Sequence, residues 1–173
     1  MKLTENDFKL KVSKSEVTMN ISNELLEMLK KDGYAQNLKA GKETSSQIEL
    51  KTRKANFTLW NNTAVIYFDD DEIKNKTKFI DIINDKLIWL ESKKKLVEHK
   101  MISGLLSLKN ETWLDENEKP LLDEELILKI NLESIQFSSD NSFTLYFNDG
   151  QLFGGHQISM SINSIFEFKN PSI

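Results

Sequence analysis

Apolar and polar residues alternate along much of this chain, and where the alternation stops the spacing lengthens to that of a helix. Phe8, Leu10 and Val12 alternate with Lys9 and Lys11, and Val17, Met19 and Ile21 alternate again after a turn-like Ser13–Glu16. This predicts a hairpin with one apolar face. Ser22 or Asn23 is placed to cap a short helix carrying Leu25, Leu26, Met28 and Leu29, which Asp32-Gly33 would close. Residues 34–46 are polar and small, ending in Gly41-Lys42-Glu43-Thr44-Ser45-Ser46, and read as a connection. The expected division is an N-terminal β-β-α extension with linker over 1–45 and an α+β domain over 46–173.

The second part opens on three strand-like runs, 47–52, 55–60 and 63–68, with Asn61-Asn62 as a two-residue hairpin loop. Asp69-Asp70-Asp71-Glu72 then sets acidic groups ahead of the longest helical region. Phe79, Ile80, Ile83, Leu87 and Leu90 recur at helical spacing, as do Val97, Met101, Leu105 and Leu108, predicting helices near 75–91 and 94–109. Asn110 falls just past the second, and Trp113 is spaced to return to the core. A short helix beginning at Asp123 or the residue before it turns Leu126, Ile127 and Ile130 inward.

A meander follows. Ile135 and Phe137, then Phe143, Leu145 and Phe147, then Ile158, Met160 and Ile162 keep a period of two, with tight turns at 138–141 and Asn148-Asp149-Gly150. Extended back, the same period puts His156 on the apolar face. Phe166 and Phe168 suit a short edge strand. The fold class expected is α+β: an antiparallel sheet of several hairpins packed against two consecutive helices, with the small N-terminal β-β-α unit beside it.

Composition narrows the chemistry. At 173 residues, with 39% hydrophobic and 29% charged residues, the chain can bury about two thirds of its unfolded surface without staples. The absence of cysteine removes thiol nucleophiles, disulfides, iron–sulfur clusters and thiolate zinc sites together. Net charge is −4 and Arg53 is the only arginine, which argues against a dedicated nucleic-acid site. No apolar run approaches a membrane span and Met1–Asp7 lacks a signal-like core, so a cytoplasmic location is expected.

Two histidines remain. His99, between Glu98 and Lys100 on a helix, has no second ligand three or four residues away. His156 follows Gly154-Gly155, with Asp149 and Tyr146 near in sequence. One reading makes it a general base oriented by a carboxylate, with Asp149 and Asn110 around the same pocket. The other packs it against Phe153 with a backbone carbonyl as partner, and this is favoured because no nucleophile or second imidazole stands nearby. The acidic clusters Asp69–Glu72 and Asp115–Glu118 with Asp123–Glu125 read as solvated helix starts, since the second lacks an EF-hand's central glycine and terminal glutamate. No catalytic set, cofactor or metal site is therefore expected.

Leu106-x-x-Lys109-Asn110-Glu111-Thr112-Trp113-Leu114, Leu132-Glu133-Ser134-Ile135 and Asp149-Gly150-x-Leu152-Phe153-x-Gly155-His156-x-Ile158 together resemble the bacterial family catalogued as domain of unknown function 2262. The resemblance covers about 57–162 and is clearest over 105–158. Where that family commonly has tryptophan, between Phe153 and Gly155, this chain has Gly154. The resemblance implies a cytoplasmic bacterial α+β protein of unassigned activity, and by analogy an immunity-like role against contact-dependent toxins. The expectation is thus a non-enzymatic interaction module whose acidic clusters suit a basic protein partner. The alternatives are a small-ligand binder or hydrolase around His156, and a chain whose N-terminal unit is an oligomerisation surface.

Overall fold

The computed structural model of this protein describes residues 2–20, 31 and 43–173. The helix expected around Leu25–Leu29, with its caps, and most of the 34–46 connection lie outside the described residues. Among the described residues the chain runs β1 (Lys9–Asn20), β2 (Glu43–Leu59), β3 (Asn62–Asp69), α1 (Lys76–Glu91), α2 (Lys94–Thr112), α3 (Asp123–Lys129), β4 (Asn131–Phe137), β5 (Phe143–Asn148) and β6 (Ile158–Ile162). The six strands form one sheet in chain order. The chain separates into two compact units, Met1–Lys11 with Thr52–Ile173, and Val12–Lys51. The smaller unit holds the rest of β1, the start of β2 and a helical Lys31. β1 continues through Ser13–Glu16, where a turn was expected.

The larger unit has the expected α+β plan, with hairpins and two consecutive helices built on one core. β2 pairs antiparallel with β3, β4 with β5, and β5 with β6. The sheet is mixed, however, because β3 and β4 pair in parallel, Val65 against Ser134 through Phe68 against Phe137. The three helices between them make this possible, since parallel neighbours need a long crossover. Ala64, Ile66 and Phe68 of β3, Ile135 and Phe137 of β4, Phe143, Leu145 and Phe147 of β5 and Ile158, Met160 and Ile162 of β6 are all buried. Their period of two puts them on one face, which the helices cover with Phe79, Ile83, Leu87, Leu90, Met101 and Leu105. On the opposite face, Thr144, Tyr146, Ser159 and Ser161 are half-buried.

Turns and caps account for the boundaries. The β2–β3 turn is Trp60-Asn61, one residue earlier than expected, with φ of 52° and 67° and Leu59 paired to Asn62. α1 is capped by Asn75, whose side chain accepts from the Lys78 amide at 3.0 Å. The acidic run Asp69–Glu72 therefore stops short of the helix and is used elsewhere. Asp70 takes Arg53 and Lys76 as partners (Lys76 at 3.4 Å), Asp69 accepts from the Asp71 amide, and Glu72 accepts from the Ser139 hydroxyl. Burial pushes the Asp70 carboxyl up, but the hydrogen bonds and charges of Arg53 and Lys76 outweigh it and leave the group below the usual carboxylate range.

Among the described residues of the larger unit four polar side chains are buried, and each ties an irregular segment to the core. Asn84 on α1 clamps both backbone atoms of Leu3, at 2.8 and 2.9 Å. Lys86 donates to the Ser164 carbonyl and lies 4.2 Å from the Phe166 ring centre, holding the C-terminal segment. That segment adds isolated bridges from Ile162 to Phe168 and Ser159 to Ser172 in place of a full edge strand, and Pro171 packs where Gly104 leaves room on α2. The other two buried polar residues, Lys109 and Asp149, belong to the site below.

Candidate functional site

Asn110, Asp149 and His156 occupy the part of the larger unit where α2, α3 and the β5–β6 loop meet. α2 runs three residues further than expected, so Asn110 lies within it. Its amide faces the backbone of Leu121, accepting from the N–H at 2.8 Å and donating to the carbonyl at 3.0 Å. Beside it Lys109, 3% exposed, donates to the Trp113 carbonyl at 2.7 Å and pairs with Glu118. Two adjacent residues of one helix thus fix both ends of the segment from Trp113 to Leu121. The hydrogen bond from Lys109, against a smaller effect of burial, holds the Glu118 carboxyl below its ordinary range.

Asp149 is buried and does not orient a histidine. One carboxylate oxygen accepts from the Phe153 and Gly155 amides at 2.8 and 3.0 Å, and the other accepts from Gln151 at 3.1 Å. These amides converge because Gly150, Gln151, Gly154 and Gly155 all have positive φ, 57° to 82°, which winds the chain around the carboxylate. The connection is therefore a wound loop over residues 149–157 and not a tight hairpin turn. Gly150 is required twice over: its φ is left-handed, and an added Cβ would lie 2.5 Å from the Lys129 carbonyl at the end of α3.

His156 is exposed, which corrects the placement drawn from strand parity. β6 starts only at Ile158, and the wound loop breaks the period before it. The His156 amide donates to the Phe153 carbonyl at 3.2 Å, and its ring meets Trp113 edge-on with centres 5.6 Å apart. Trp113, half-buried, also meets Phe153 edge-on at 5.9 Å. Gly154 lies alongside, its Cβ position 3.5 Å from the Trp113 ring, so the smallest side chain stands against the indole. His156 and Asp149 belong to the β5–β6 loop and Asn110 to the neighbouring last turns of α2, yet the polar atoms of Asp149 and Asn110 are spent on backbone groups.

Lys109 stands in the motif of the resemblance, but no role was read for it although the signal was present. Val97, Met101, Leu105 and Lys109 stand at successive intervals of four on one stripe of α2, and all are buried. A lysine at the end of an apolar stripe needs a partner, and the chain supplies Glu118 nine residues on.

Acidic residues concentrate in the clamped segment and the following helix. Asp115, Glu116, Asp123, Glu124 and Glu125 are exposed, as are Leu122 and Leu128, at 69% and 81%. Glu125 accepts from the Leu122 amide and so caps α3. Adjoining this acidic stretch at Leu128, a cleft of about 320 Å³ opens between α2, α3 with β4, and the β2–β3 turn. Val97, Met101, Leu132 and Phe147 line it as buried residues, Trp60 forms a wall, and Lys94 and Glu98 stand among its polar groups. Among the described residues no group of three or more His, Asp or Glu side chains could hold a metal ion, and no helix is long and apolar enough to cross a membrane.

Sheet, paired helices and backbone-clamped loops define an α+β protein in whose larger unit Lys109, Asn110 and Asp149 hold the loops in place. The family model described as an uncharacterised protein conserved in bacteria, domain of unknown function 2262, matches residues 43–173, and the chain belongs to that family. No curated protein and no solved structure matches it.

Proposed function

We propose that this protein is a non-enzymatic interaction module of the bacterial cytoplasm, immunity-like in mode, that receives a basic protein partner on the acidic segment from Asp115 to Leu128. The observation that carries this reading is the clamp. Lys109 and Asn110 spend buried or half-buried polar groups on holding residues 113–121 against α2, while Asp115, Glu116, Asp123, Glu124 and Glu125 stand exposed. A pre-ordered acidic surface costs little further entropy on binding and steers a cationic partner by charge. The exposed Leu122 and Leu128 add apolar contacts beside the charges.

The alternative, a hydrolytic or ligand site around His156, lacks a carboxylate free to orient the ring, because Asp149 already accepts three amides. The test is affinity capture from the native host's extract at low and at physiological salt. A stoichiometric basic partner is expected, retained at low salt and weakened as salt screens the contact. Asp123→Lys combined with Glu124→Lys should abolish its capture. Recovery of no stoichiometric partner at low salt, or capture indifferent to the charge reversal, would refute the proposal.

A further inference from the structure

We infer that the cleft beside Trp60 is a binding site for a free amino acid with a large apolar side chain. The cleft shares Leu128 with the partner surface on α3, but the inference is argued from other residues of its lining. Its first support is shape and lining. At about 320 Å³ the cleft falls at the small end of ligand sites, and its buried walls, Val97, Met101, Leu132 and Phe147, are apolar. A compact hydrocarbon or aromatic side chain fits that lining, and a larger cofactor does not.

The second support is the charge pattern. Lys94 and Glu98, one helical turn apart on α2, both line the cleft and lie 3.5 Å from one another. Their side chains are 53% and 31% exposed, and an exposed helix pair of this kind is weak. A zwitterion replaces it with two new contacts, its carboxylate on Lys94 and its ammonium on Glu98, so neither charge is left unpaired. A ligand carrying one charge gains only one of these two contacts. Asn62 also lines the cleft, as does Asn131, whose NH₂ donates to the Lys129 carbonyl at 3.1 Å and leaves its side-chain oxygen for the same polar head.

The third support is Trp60. It occupies a left-handed turn position with φ of 52°, where a bulky residue is uncommon and asparagine or glycine would sit more easily. Its indole N–H donates to the Glu91 carbonyl at 3.1 Å, which fixes the ring as a wall of the cleft. An aromatic side chain is thus held at a position that local backbone preference disfavours, where it can contact the side chain of a bound amino acid.

The test is a two-dimensional ¹H–¹⁵N titration of the full chain with L-phenylalanine and L-leucine, taken to about 10 mM, well above a dissociation constant of about 1 mM. Phenethylamine and 3-phenylpropionate, each bearing one of the two charges, serve as controls. Saturable shifts at the Trp60 indole and at the amides of residues 94–101 are expected, with both controls binding about tenfold more weakly. Lys94→Met and Glu98→Gln, both at partly exposed positions, should each weaken L-phenylalanine about tenfold with thermal unfolding unchanged. Absence of saturable shifts with either amino acid would overturn the inference. So would controls that bind as tightly as L-phenylalanine, or shifts that survive both substitutions.

Discussion

Replacing Asp149 separates an architectural carboxylate from a reactive one. The wild-type side chain accepts three backbone N–H groups, two on one oxygen at 2.8 and 3.0 Å and one on the other at 3.1 Å, at 2% exposure. Asp149→Asn keeps the oxygen that serves Phe153 and Gly155 but turns an NH₂ toward the Gln151 amide, losing one bond and the charge assistance of the others. A hydrogen bond to a charged group contributes about 1.5–3 kcal/mol, so a loss of about 2 kcal/mol is expected. Asp149→Ala removes all three bonds and strands the amide of the fully buried Phe153, and should cost about 4 kcal/mol. For a chain of this size each kcal/mol moves the midpoint by about 2–4 °C, so the asparagine variant should melt about 4–8 °C early and the alanine variant well below that. Circular dichroism melts and urea titrations of the three proteins measure the series. Equal stability of wild type and both variants would refute the assignment and return Asp149 to the candidates for chemistry.

Other outcomes follow from the same contacts. Asn110→Ala removes both bonds to Leu121, and should cost about 1–3 kcal/mol and speed amide hydrogen exchange across residues 113–122 while leaving β3–β6 protected, read by exchange mass spectrometry. Gly150→Ala should destabilise more than Gly154→Ala: both carry a left-handed penalty of about 1–2 kcal/mol, but only the first drives a Cβ into the Lys129 carbonyl, and urea midpoints would rank them. The folded pKa of Asp70 lies below its unfolded value, so its ion pairs contribute stability that is present above the unfolded value and lost as pH falls through the folded one. Arg53→Met should therefore flatten the acid limb of the stability profile, measured by urea unfolding from neutral pH downward.

Much of the larger unit was legible in the chain because its elements bury one face. The period of two from Phe143 to Phe147 and from Ile158 to Ile162, and the helical spacing of Phe79, Ile80, Ile83, Leu87 and Leu90, mark the core directly. The parallel pairing of β3 with β4 was not legible, since alternation reports which face is buried and not which strand lies alongside. The Trp60-Asn61 turn was misplaced by one residue because asparagine is the usual occupant of a left-handed position and tryptophan is not.

The candidate site was legible as a set of neighbours but not as a set of roles. Asn110, Asp149 and His156 fall in one region of the larger unit, around the contacts of Trp113 with Phe153 and His156. What each polar atom does depends on backbone amides from residues several positions away, and those are aimed by φ values that residue type hints at only for the glycines. His156 was assigned to the core because the strand period was carried back across a loop that breaks it.

The most direct test of the account compares two changes in one capture experiment at physiological salt: His156→Ala, and the double reversal Asp123→Lys with Glu124→Lys. The acidic-segment account predicts that the histidine variant retains the same basic partner in the same stoichiometry while the reversal loses it. Loss of the partner on removing His156, with the reversed segment still binding, would contradict it.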